Sequence, residues 1–378
     1  MIPRRTFLQR SAFSLAAFPF VSRSLADQPR IELLGTQVIS RNAEKYHGWP
    51  TLARRSDGEL MVVCSGGREE HVCPFGRVEL IRSRDEGRTW TWPRTLLDGP
   101  IDDRDAGLLE TSRGTLLATT FTSLAYEPIL KKRKESGRDM TMWDAVHERI
   151  PEEERRKELG QWIIRSVDGG ITWSSRYSSI VNSPHGPIQL SDGRLLYPGK
   201  ELWAANPWVG MSESDDDGVT WKRGAALPTR KGDDHRAYHE LHGVEAKGGR
   251  IIVHVRNHNP THNRETLQSE SLDGGKTWSE PHSIGVWGLP SHLLRLRDGR
   301  LLMSYGYRRK PYGNQIRVSE DDGKTWSAPA GVSEDGIGGD LGYPSTAELA
   351  DGRLVTVWYE KMQGSAKAVL RQAIWRLV

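Results

Sequence analysis

The feature that most constrains the fold of this chain is an eight-residue pattern, Ser-x-Asp-x-Gly-x-Thr-Trp, that occurs five times. The copies end at Trp90, Trp173, Trp221, Trp278 and Trp326. In such a segment the Asp carboxylate accepts hydrogen bonds from the backbone N–H groups of a tight turn, the Gly takes a left-handed backbone angle, and the Trp packs beneath. We therefore predict that these Asp residues are structural and do not contact a substrate.

A second repeat is an Asp-Gly or related turn between two apolar, strand-like runs. Its glycines are Gly58, Gly114, Gly193, Gly249, Gly299 and Gly352. Such turns need positive φ angles and are the strongest local signal of a β-hairpin. Each of the first five hairpins is followed by one Asp turn, which gives four strands, A to D, per repeat. The sequence thus predicts an all-β, six-bladed β-propeller over residues 27–378, with Ile31–Leu34 as the outer strand of the last blade.

One interval between the hairpin glycines is longer than the others. Gly114 and Gly193 are 79 residues apart, whereas the other neighbours are 50 to 56 apart. The excess falls at about residues 126–161, where the pattern is helical and Pro151 stands at a helix start. This predicts a helical insertion between strands B and C of blade two. Its role as a rim or lid, a surface decoration or a dimer contact is left open.

The charge of the chain is carried by its first residues. The sequence has 53 Lys and Arg against 49 Asp and Glu, and residues 1–26 hold four Arg and no acid, so that the rest has +4 − 4 = 0. A neutral remainder gives no electrostatic basis for nucleic-acid binding. Arg4-Arg5 precedes a short apolar run and Ser24-Leu25-Ala26, which is typical of a twin-arginine signal. We expect a periplasmic or extracellular protein without a membrane span.

The repeat also predicts which loops share a face. The A–B turns and the Asp turns lie at one end of the strands, so the D–A and B–C loops lie together at the other end. These loops are the longer and more polar ones. Because ligands bind in concave mouths that are lined by loops on a rigid scaffold, we expect the functional site there.

With these repeats the chain after residue 26 resembles the sialidase (neuraminidase) superfamily, six-bladed propellers that carry Asp-box (BNR) turns. In that family a Tyr entering the last blade is the nucleophile, and a Glu acts as its base. Tyr343, in Gly342-Tyr343-Pro344, and Glu240, in His239-Glu240-Leu241, match these places. The resemblance implies this pair of roles, and the chemistry is coherent because a phenol is a poor nucleophile until a carboxylate withdraws its proton.

Sialidases also hold the substrate carboxylate with three arginines, whose planar forks suit bidentate pairing. The resemblance implies that Arg256 is the second and Arg308, or its neighbour Arg309, is the third. The first arginine is missing, since the chain reads His47-Gly48-Trp49-Pro50 at that place. The clamp is therefore predicted to be incomplete, or His47 replaces part of it.

The acid/base Asp of the family is missing as well. It would follow an arginine that Arg68 resembles, and Arg68 is predicted to bind substrate. The loop after it reads Glu69-Glu70-His71, without an Asp. These three residues, or Asp105 from the next blade, are the candidates for the acid/base, because a partly buried carboxyl group and a His can both hold a proton near neutral pH.

Histidine is concentrated on the predicted active face. Eight of the 12 His fall in predicted D–A or B–C loops: His47, His71, His185, His235, His239, His258, His262 and His292. Of these, His185, His239 and His292 are predicted to bind sugar hydroxyl groups. The spacing of the histidines does not resemble a zinc motif, so we predict neither a metal nor another cofactor.

Together these observations predict a secreted exo-glycoside hydrolase of the sialidase type, which releases a terminal acidic sugar from a glycan with retention of configuration. Two alternatives are open. One is a polysaccharide lyase or hydrolase that acts on uronate-containing glycans with His and Tyr chemistry. The other is a noncatalytic glycan-binding propeller, since Asp-box turns also occur in proteins that are not enzymes.

Overall fold

The computed structural model describes residues 28–378, which form six four-stranded antiparallel sheets around a central channel. This is the predicted six-bladed β-propeller. The predicted export signal, residues 1–26, lies outside the described residues. The innermost strand of each blade is the one that enters it from the preceding blade, and inner strands of neighbouring blades pack together around the channel.

The strands follow the chain blade by blade. The first strand, which belongs to the last blade, is β1 (Ile31–Val38). Blade one contains β2 (Tyr46–Arg54), β3 (Leu60–Arg68), β4 (Arg77–Ser83) and β5 (Arg94–Leu97). Blade two contains β6 (Asp102–Glu110), β7 (Leu116–Ser123), β8 (Gln161–Ser166) and β9 (Tyr177–Ser178). Blade three contains β10 (Ile188–Gln189), β11 (Leu195–Lys200), β12 (Val209–Ser214) and β13 (Lys222–Ala226).

The second half of the ring repeats the arrangement. Blade four contains β14 (Tyr238–Glu245), β15 (Ile251–Asn257), β16 (Thr266–Ser271) and β17 (His282–Val286). Blade five contains β18 (Ser291–Arg295), β19 (Leu301–Tyr307), β20 (Tyr312–Ser319) and β21 (Ala330–Gly336). Blade six contains β22 (Leu341–Glu348), β23 (Leu354–Lys361), β24 (Ala368–Leu377) and β1. Short 3-10 turns lie at His235–Ala237 and Pro260–His262.

Strand β1 closes the ring as predicted. It pairs antiparallel with β24, from Ile31 opposite Leu377 to Val38 opposite Arg371. The first and last strands of the described chain therefore share one sheet, which removes the free edge that blade six would otherwise present. Large apolar side chains such as Trp358 fill the space between this blade and blade five.

The five Asp turns have the hydrogen bonds that their sequence predicts. At the first of them, Asp85 accepts from the Thr89 N–H at 2.9 Å and from the Ser83 hydroxyl at 2.8 Å. The other four turns repeat this pattern at Asp168, Asp216, Asp273 and Asp321. Each of these carboxylates is occupied by its own turn, which is a structural role.

The insertion in blade two is helical and connects strands B and C, as predicted. Its helices are α1 (Glu127–Glu135), α2 (Thr141–His147) and α3 (Glu152–Lys157). Leu130 and Trp143 are buried in a cluster that also contains Cys73 of blade one. The insertion therefore rests on the B–C loop of the neighbouring blade. None of the helices in the part of the chain that the structure describes has the length and apolar character needed to cross a bilayer.

Candidate active site

Four of the six inner strands carry an irregularity close to one mouth of the channel. In β2, β6, β14 and β22 the pairing register with the next strand shifts, and a residue at each shift has a left-handed φ of 43° to 55°. These residues are Trp49, Asp105, Glu240 and Tyr343. Such a backbone is unfavourable for large side chains and persists where the surroundings impose it, often at functional sites. The same irregularity thus presents four chemically different side chains at one mouth.

Tyr343 and Glu240 form the centre of this site. The Tyr343 hydroxyl donates a hydrogen bond of 2.6 Å to Oε1 of Glu240. Arg256, on the strand beside Glu240, pairs through Nη1 with Oε2 of Glu240 and donates to the Tyr343 hydroxyl oxygen at 3.2 Å. The structure therefore brings together the residues predicted as nucleophile and base, with one of the predicted substrate-binding arginines between them.

The charges of this group are set by burial and by each other. Burial raises the pKa of Tyr343 well above its usual value; Glu240 raises it further and Arg256 opposes the rise. Burial alone would raise the pKa of Glu240, but Arg256 and the hydrogen bond from Tyr343 outweigh it, so that this pKa lies below its usual value. At neutral pH the proton of the pair therefore stays on the phenol, and Glu240 is an ionised acceptor.

Asp105 lies within electrostatic reach of both residues. It is 6% exposed, and burial is the main reason that its pKa rises to about 7. Arg104 opposes this rise, and the Glu240 carboxylate adds to it. A carboxyl group with this pKa is protonated in a large fraction of molecules at neutral pH. Asp105 is the one predicted acid/base carboxyl group that the structure brings to the Tyr343 and Glu240 pair.

The Trp49 indole lies beside two arginines and Tyr343. The guanidinium of Arg104 lies 4.5 Å from the Trp49 ring centre and that of Arg68 lies 5.0 Å from it. The Tyr343 ring is 6.4 Å away on another side. Both arginines are within cation–π distance. Trp49 is 1% exposed, so it forms the packed floor of the mouth rather than an open platform.

Arg308 is the third predicted clamp residue. Its Nε donates to the Leu341 carbonyl at 2.9 Å, and its guanidinium lies 5.8 Å from the Tyr343 ring centre. Arg309 instead stacks on Trp287 at 4.0 Å. Of the two neighbouring arginines, Arg308 is therefore the one beside the candidate nucleophile.

Two predicted substrate-binding residues, Arg68 and His47, are buried and paired with carboxylates of the protein. The Arg68 side chain is 0% exposed, and its two terminal nitrogens both bond the carboxylate of Asp102, at 2.6 and 3.0 Å. The His47 ring is also buried, and it faces Glu79 of β4 at 3.8 Å, towards the outer part of the blade. Both side chains are enclosed by partners within the protein, and their contact with substrate stays a prediction.

Two further predicted sugar-binding histidines lie inside the channel. His185 and His292 are buried with His242, at ring-centre distances of 4.7 to 5.4 Å, and the His185 ring is 6.4 Å from that of Tyr343. They also line a cavity of about 370 Å³. His292 lies in β18 rather than in a loop, which corrects its predicted location. Within residues 28–378, no group of three or more His, Cys, Asp or Glu side chains is arranged to hold a metal ion.

His239 lies at the rim of the site, in β14 rather than in the predicted loop, next to Glu240. Its ring is 4.6 Å from that of His258, and its Nε2 is 3.5 Å from Nζ of Lys200. Burial, followed by the positive charge of Lys200, lowers the pKa of His239 to about 3. A neutral imidazole at the rim can form hydrogen bonds to hydroxyl groups.

The loop after Arg68 is divided between the site and the insertion. Glu69 accepts a 2.7 Å hydrogen bond from the Trp143 indole, and Glu70 forms a salt bridge with Arg133. The carboxylates of both predicted acid/base candidates are thus tied to the insertion. His71 follows them in sequence. Its ring meets the Trp49 ring edge-on, with the ring centres 4.9 Å apart, and its side chain is 46% exposed at the mouth.

Three residues of the site were not predicted from the sequence: Asp340, Arg104 and Trp49. Oδ1 of Asp340 lies 2.9 Å from Nδ1 of His71. For Trp49 a signal existed, because Gly48-Trp49-Pro50 and Gly342-Tyr343-Pro344 occupy equivalent places in the repeat. Asp340 precedes Tyr343 by three residues and has no local pattern that marks it. Its role depends on partners from blade one, which only the closed ring brings near.

Comparison with known proteins agrees with this architecture. The BNR repeat-like domain family matches residues 128–357, 230 of the 378 residues. A protein called sialidase from Bacteroides fragilis is 24% identical over 321 residues; the match covers 77% of this chain and 54% of that protein, so this chain spans about half the length of that relative.

Solved structures show the same fold. A protein of unknown function from Dyadobacter fermentans superposes with a TM-score of 0.75 at 22% identity, covering 92% of this chain and 99% of that one. A Hadza microbial sialidase superposes with a TM-score of 0.62 at 19% identity, covering 87% of this chain and 65% of that one. An intramolecular trans-sialidase from Ruminococcus gnavus superposes with a TM-score of 0.62 at 15% identity, covering 92% of this chain and 97% of that one. The repeats, the fold and the family match agree: this chain belongs to the BNR-repeat β-propellers of the sialidase superfamily.

Proposed function

We propose that this protein is a retaining exo-glycoside hydrolase of the sialidase type, which releases a terminal acidic sugar from a glycan. The observation that carries the proposal is the Tyr343, Glu240 and Arg256 group, in which a phenol, an ionised carboxylate and a cation share hydrogen bonds at one mouth of the propeller. The sialidase relatives support the same reaction class.

The first chemical step follows from the protonation states of the pair. The Tyr343 oxygen attacks the anomeric carbon while its proton moves to Oε1 of Glu240, and the bond from that carbon to the leaving oxygen breaks. A proton donor of the protein protonates that oxygen. Water then attacks the anomeric carbon, gives a proton to the group that protonated the leaving oxygen, and breaks the bond to the Tyr343 oxygen, which regains its proton from Glu240. A neutral phenol suits an anionic substrate, since a carboxylate nucleophile would repel it.

An acidic sugar is favoured by the cations at the mouth. The Arg256 side chain is 13% exposed at the mouth, so a substrate carboxylate can reach its guanidinium. Arg308 stands on the other side of Tyr343. Asp105 would oppose an anion only when ionised, and its pKa of about 7 allows it to be neutral when substrate binds. These residues form a cradle for one carboxylate.

Trp49 in place of the first clamp arginine narrows the choice of substrate. Two arginines rather than three are directed to the sugar carboxylate, so we expect weaker binding of sialic acid than a complete clamp would give. A different keto-sugar acid or a uronate is the expected alternative within the same mechanism.

The direct test is hydrolysis of 4-methylumbelliferyl N-acetylneuraminate by the purified protein. Tyr343→Phe removes the attacking oxygen and should abolish turnover. Tyr305→Phe is a matched control, because Tyr305 is equally buried but bonds Gln315 in blade five. Equal activity of the wild type and Tyr343→Phe would contradict the mechanism. A wild type inactive on sialosides but active on uronate glycans, with a new conjugated double bond in the product, would favour the lyase; binding without turnover would favour a glycan-binding module.

We also propose that residues 1–26 direct export by the twin-arginine route. Exchange of Arg4 and Arg5 for lysine should retain the protein inside a bacterial host with that pathway, whereas the wild type should appear in the periplasm or medium. Export of the double-lysine variant at the wild-type level would contradict this.

A further inference from the structure

Four side chains from blades one and six meet beside the site. Nδ1 of His71 lies 2.9 Å from Oδ1 of Asp340 and 2.9 Å from the Tyr46 hydroxyl. The Tyr46 hydroxyl in turn donates to the same Asp340 oxygen at 2.9 Å, and Tyr359 donates to it at 3.2 Å. His71 and Asp340 are separated by 269 residues, so this cluster exists only because blade one meets blade six.

The positions of the hydrogens follow from the donors and acceptors. Burial alone would raise the pKa of Asp340, but the hydrogen bonds and charge of His71 and the Tyr46 hydroxyl outweigh it, so its pKa lies below the usual value and it can only accept. Burial raises the pKa of Tyr46 well above its usual value, so its single hydrogen is present and points to Asp340. Nδ1 of His71 must therefore carry a hydrogen, which leaves Nε2 as the nitrogen that exchanges a proton.

The loop that carries His71 is held by the insertion. Its neighbours Glu69 and Glu70 are bound to Trp143 and Arg133 of the insertion. The His71 side chain is nevertheless 46% exposed, and within residues 28–378 its Nε2 has no hydrogen-bond partner. A fixed ring with one free nitrogen that faces solvent is a suitable arrangement for proton transfer.

The exposed fractions of the His71 and Asp105 side chains favour His71 as the proton donor for the leaving group. The leaving group is the rest of the glycan, which must extend towards solvent. Asp105, at 6% exposure, lies in the floor of the site next to Glu240 and Tyr343. His71 lies at the rim, on the edge of the Trp49 ring whose other contacts include Tyr343. The departing oxygen therefore meets His71.

We propose that Nε2 of His71 is the general acid and base of the reaction, and that Asp340 is the positioning residue that fixes its tautomer. The inference rests on the proposed function. In the first step the doubly protonated ring gives its Nε2 proton to the leaving oxygen as the glycosidic bond breaks, which leaves the neutral ring with its hydrogen on Nδ1. In the second step neutral Nε2 takes a proton from the attacking water, which restores the starting state.

The tautomer can be measured without any substrate. In ¹⁵N NMR spectra, neutral His71 of the wild type should show a protonated Nδ1 and an unprotonated Nε2. Asp340→Ala removes the acceptor and turns the Tyr46 hydroxyl towards Nδ1, so the tautomer should switch to Nε2–H. Tyr46→Phe leaves the Asp340 carboxylate in place, and the wild-type tautomer should remain. An Nε2–H tautomer in the wild type, or no switch in Asp340→Ala, would overturn the positioning role.

The catalytic role is tested by comparing two leaving groups on one acidic sugar. His71→Gln should lower kcat/KM for sialyllactose about 10²–10⁴-fold, the usual range for general acid catalysis, and much less for the 4-methylumbelliferyl sialoside, whose phenolate leaves without a proton. His282→Gln is the control, since His282 is an exposed histidine that also faces a carboxylate, Glu270, but lies on the outer strand of blade four.

The outcomes distinguish this inference from the proposed function. Equal losses on both substrates in His71→Gln, or a loss that depends on the leaving group in Asp105→Asn instead, would overturn the assignment of His71 while the Tyr343 mechanism stands. Failure of the wild type to hydrolyse these sialosides and the corresponding glycosides of another keto-sugar acid or a uronate would overturn the proposed function and the catalytic role of His71 with it. The NMR experiment would then still decide whether Asp340 fixes the ring.

Discussion

Replacement of His292 by Gln should make the stability of the protein less sensitive to acid. His292 is buried in the channel against His185 and His242, and burial lowers its pKa to about 3. In the unfolded chain a histidine titrates near 6.5. As the pH falls below 6.5 the unfolded state takes up a proton that the folded state refuses, so the free energy of unfolding decreases until the pH approaches 3.

The size of this effect follows from the two pKa values. Between pH 7 and pH 5 an unfolded histidine gains almost one proton and the folded His292 gains almost none, which lowers the free energy of unfolding by about 2 kcal/mol. The pKa values of His185 and His242 also lie well below the usual value because of burial, and each adds a loss in the same direction. All three rings therefore make the folded state less stable as the pH falls.

Urea denaturation of the wild type and His292→Gln at pH 7 and pH 5 measures the effect. The informative quantity is the difference between the two proteins in their loss of free energy from pH 7 to pH 5, because the contributions of groups distant from His292 cancel. We expect the variant to lose about 2 kcal/mol less than the wild type. His282→Gln, at an exposed site, should behave as the wild type does. The same loss in wild type and His292→Gln would refute the assignment of a neutral, acid-sensitive histidine layer.

Three further expectations follow from the same structure. Glu240→Gln leaves Arg256 largely buried without its counter-charge, so urea denaturation should show a free energy of unfolding lower by about 3 kcal/mol, together with loss of turnover; unchanged stability would contradict the buried pair. Trp143→Ala removes a buried indole and its bond to Glu69, so we expect a loss of about 3 kcal/mol and faster proteolytic cleavage of the blade-one loop; an unchanged cleavage rate would show that the insertion does not hold it. Asp321→Asn weakens one Asp turn, and calorimetry should show a lower Tm with an unchanged KM; a changed KM would contradict a purely structural role.

The histidine layer also gives the reaction centre a rigid support. Nδ1 of His242 accepts a hydrogen bond from the Leu293 N–H at 2.9 Å, and Nδ1 of His292 accepts from the Thr346 N–H at 3.5 Å. These bonds connect the inner strands of blades four, five and six across the channel, close to Tyr343 and Glu240. His242 and His292 thus join the strands that carry the reacting groups.

The sequence alone determined the architecture of this protein, because the information is local and repeated. Each Asp turn closes on itself through the Ser, Asp and Thr of one short segment, as at Asp85, and each hairpin depends on a glycine at its turn. Six repeats of such units leave few ways to close a sheet. The position of Tyr343 and Glu240 within the repeat, together with the family resemblance, was enough to place both at one mouth.

Only the tertiary structure decided which polar side chains at that mouth are free to react. Arg68 and His47 have the right residue types and loops, yet partners from neighbouring strands enclose them. Asp340 has no pattern that marks it, and it becomes a partner of His71 because ring closure joins residues 269 positions apart. Hydrogen-bond strength and exposure depend on distances of a few tenths of an ångström between blades, and a sequence pattern fixes the blades but not those distances.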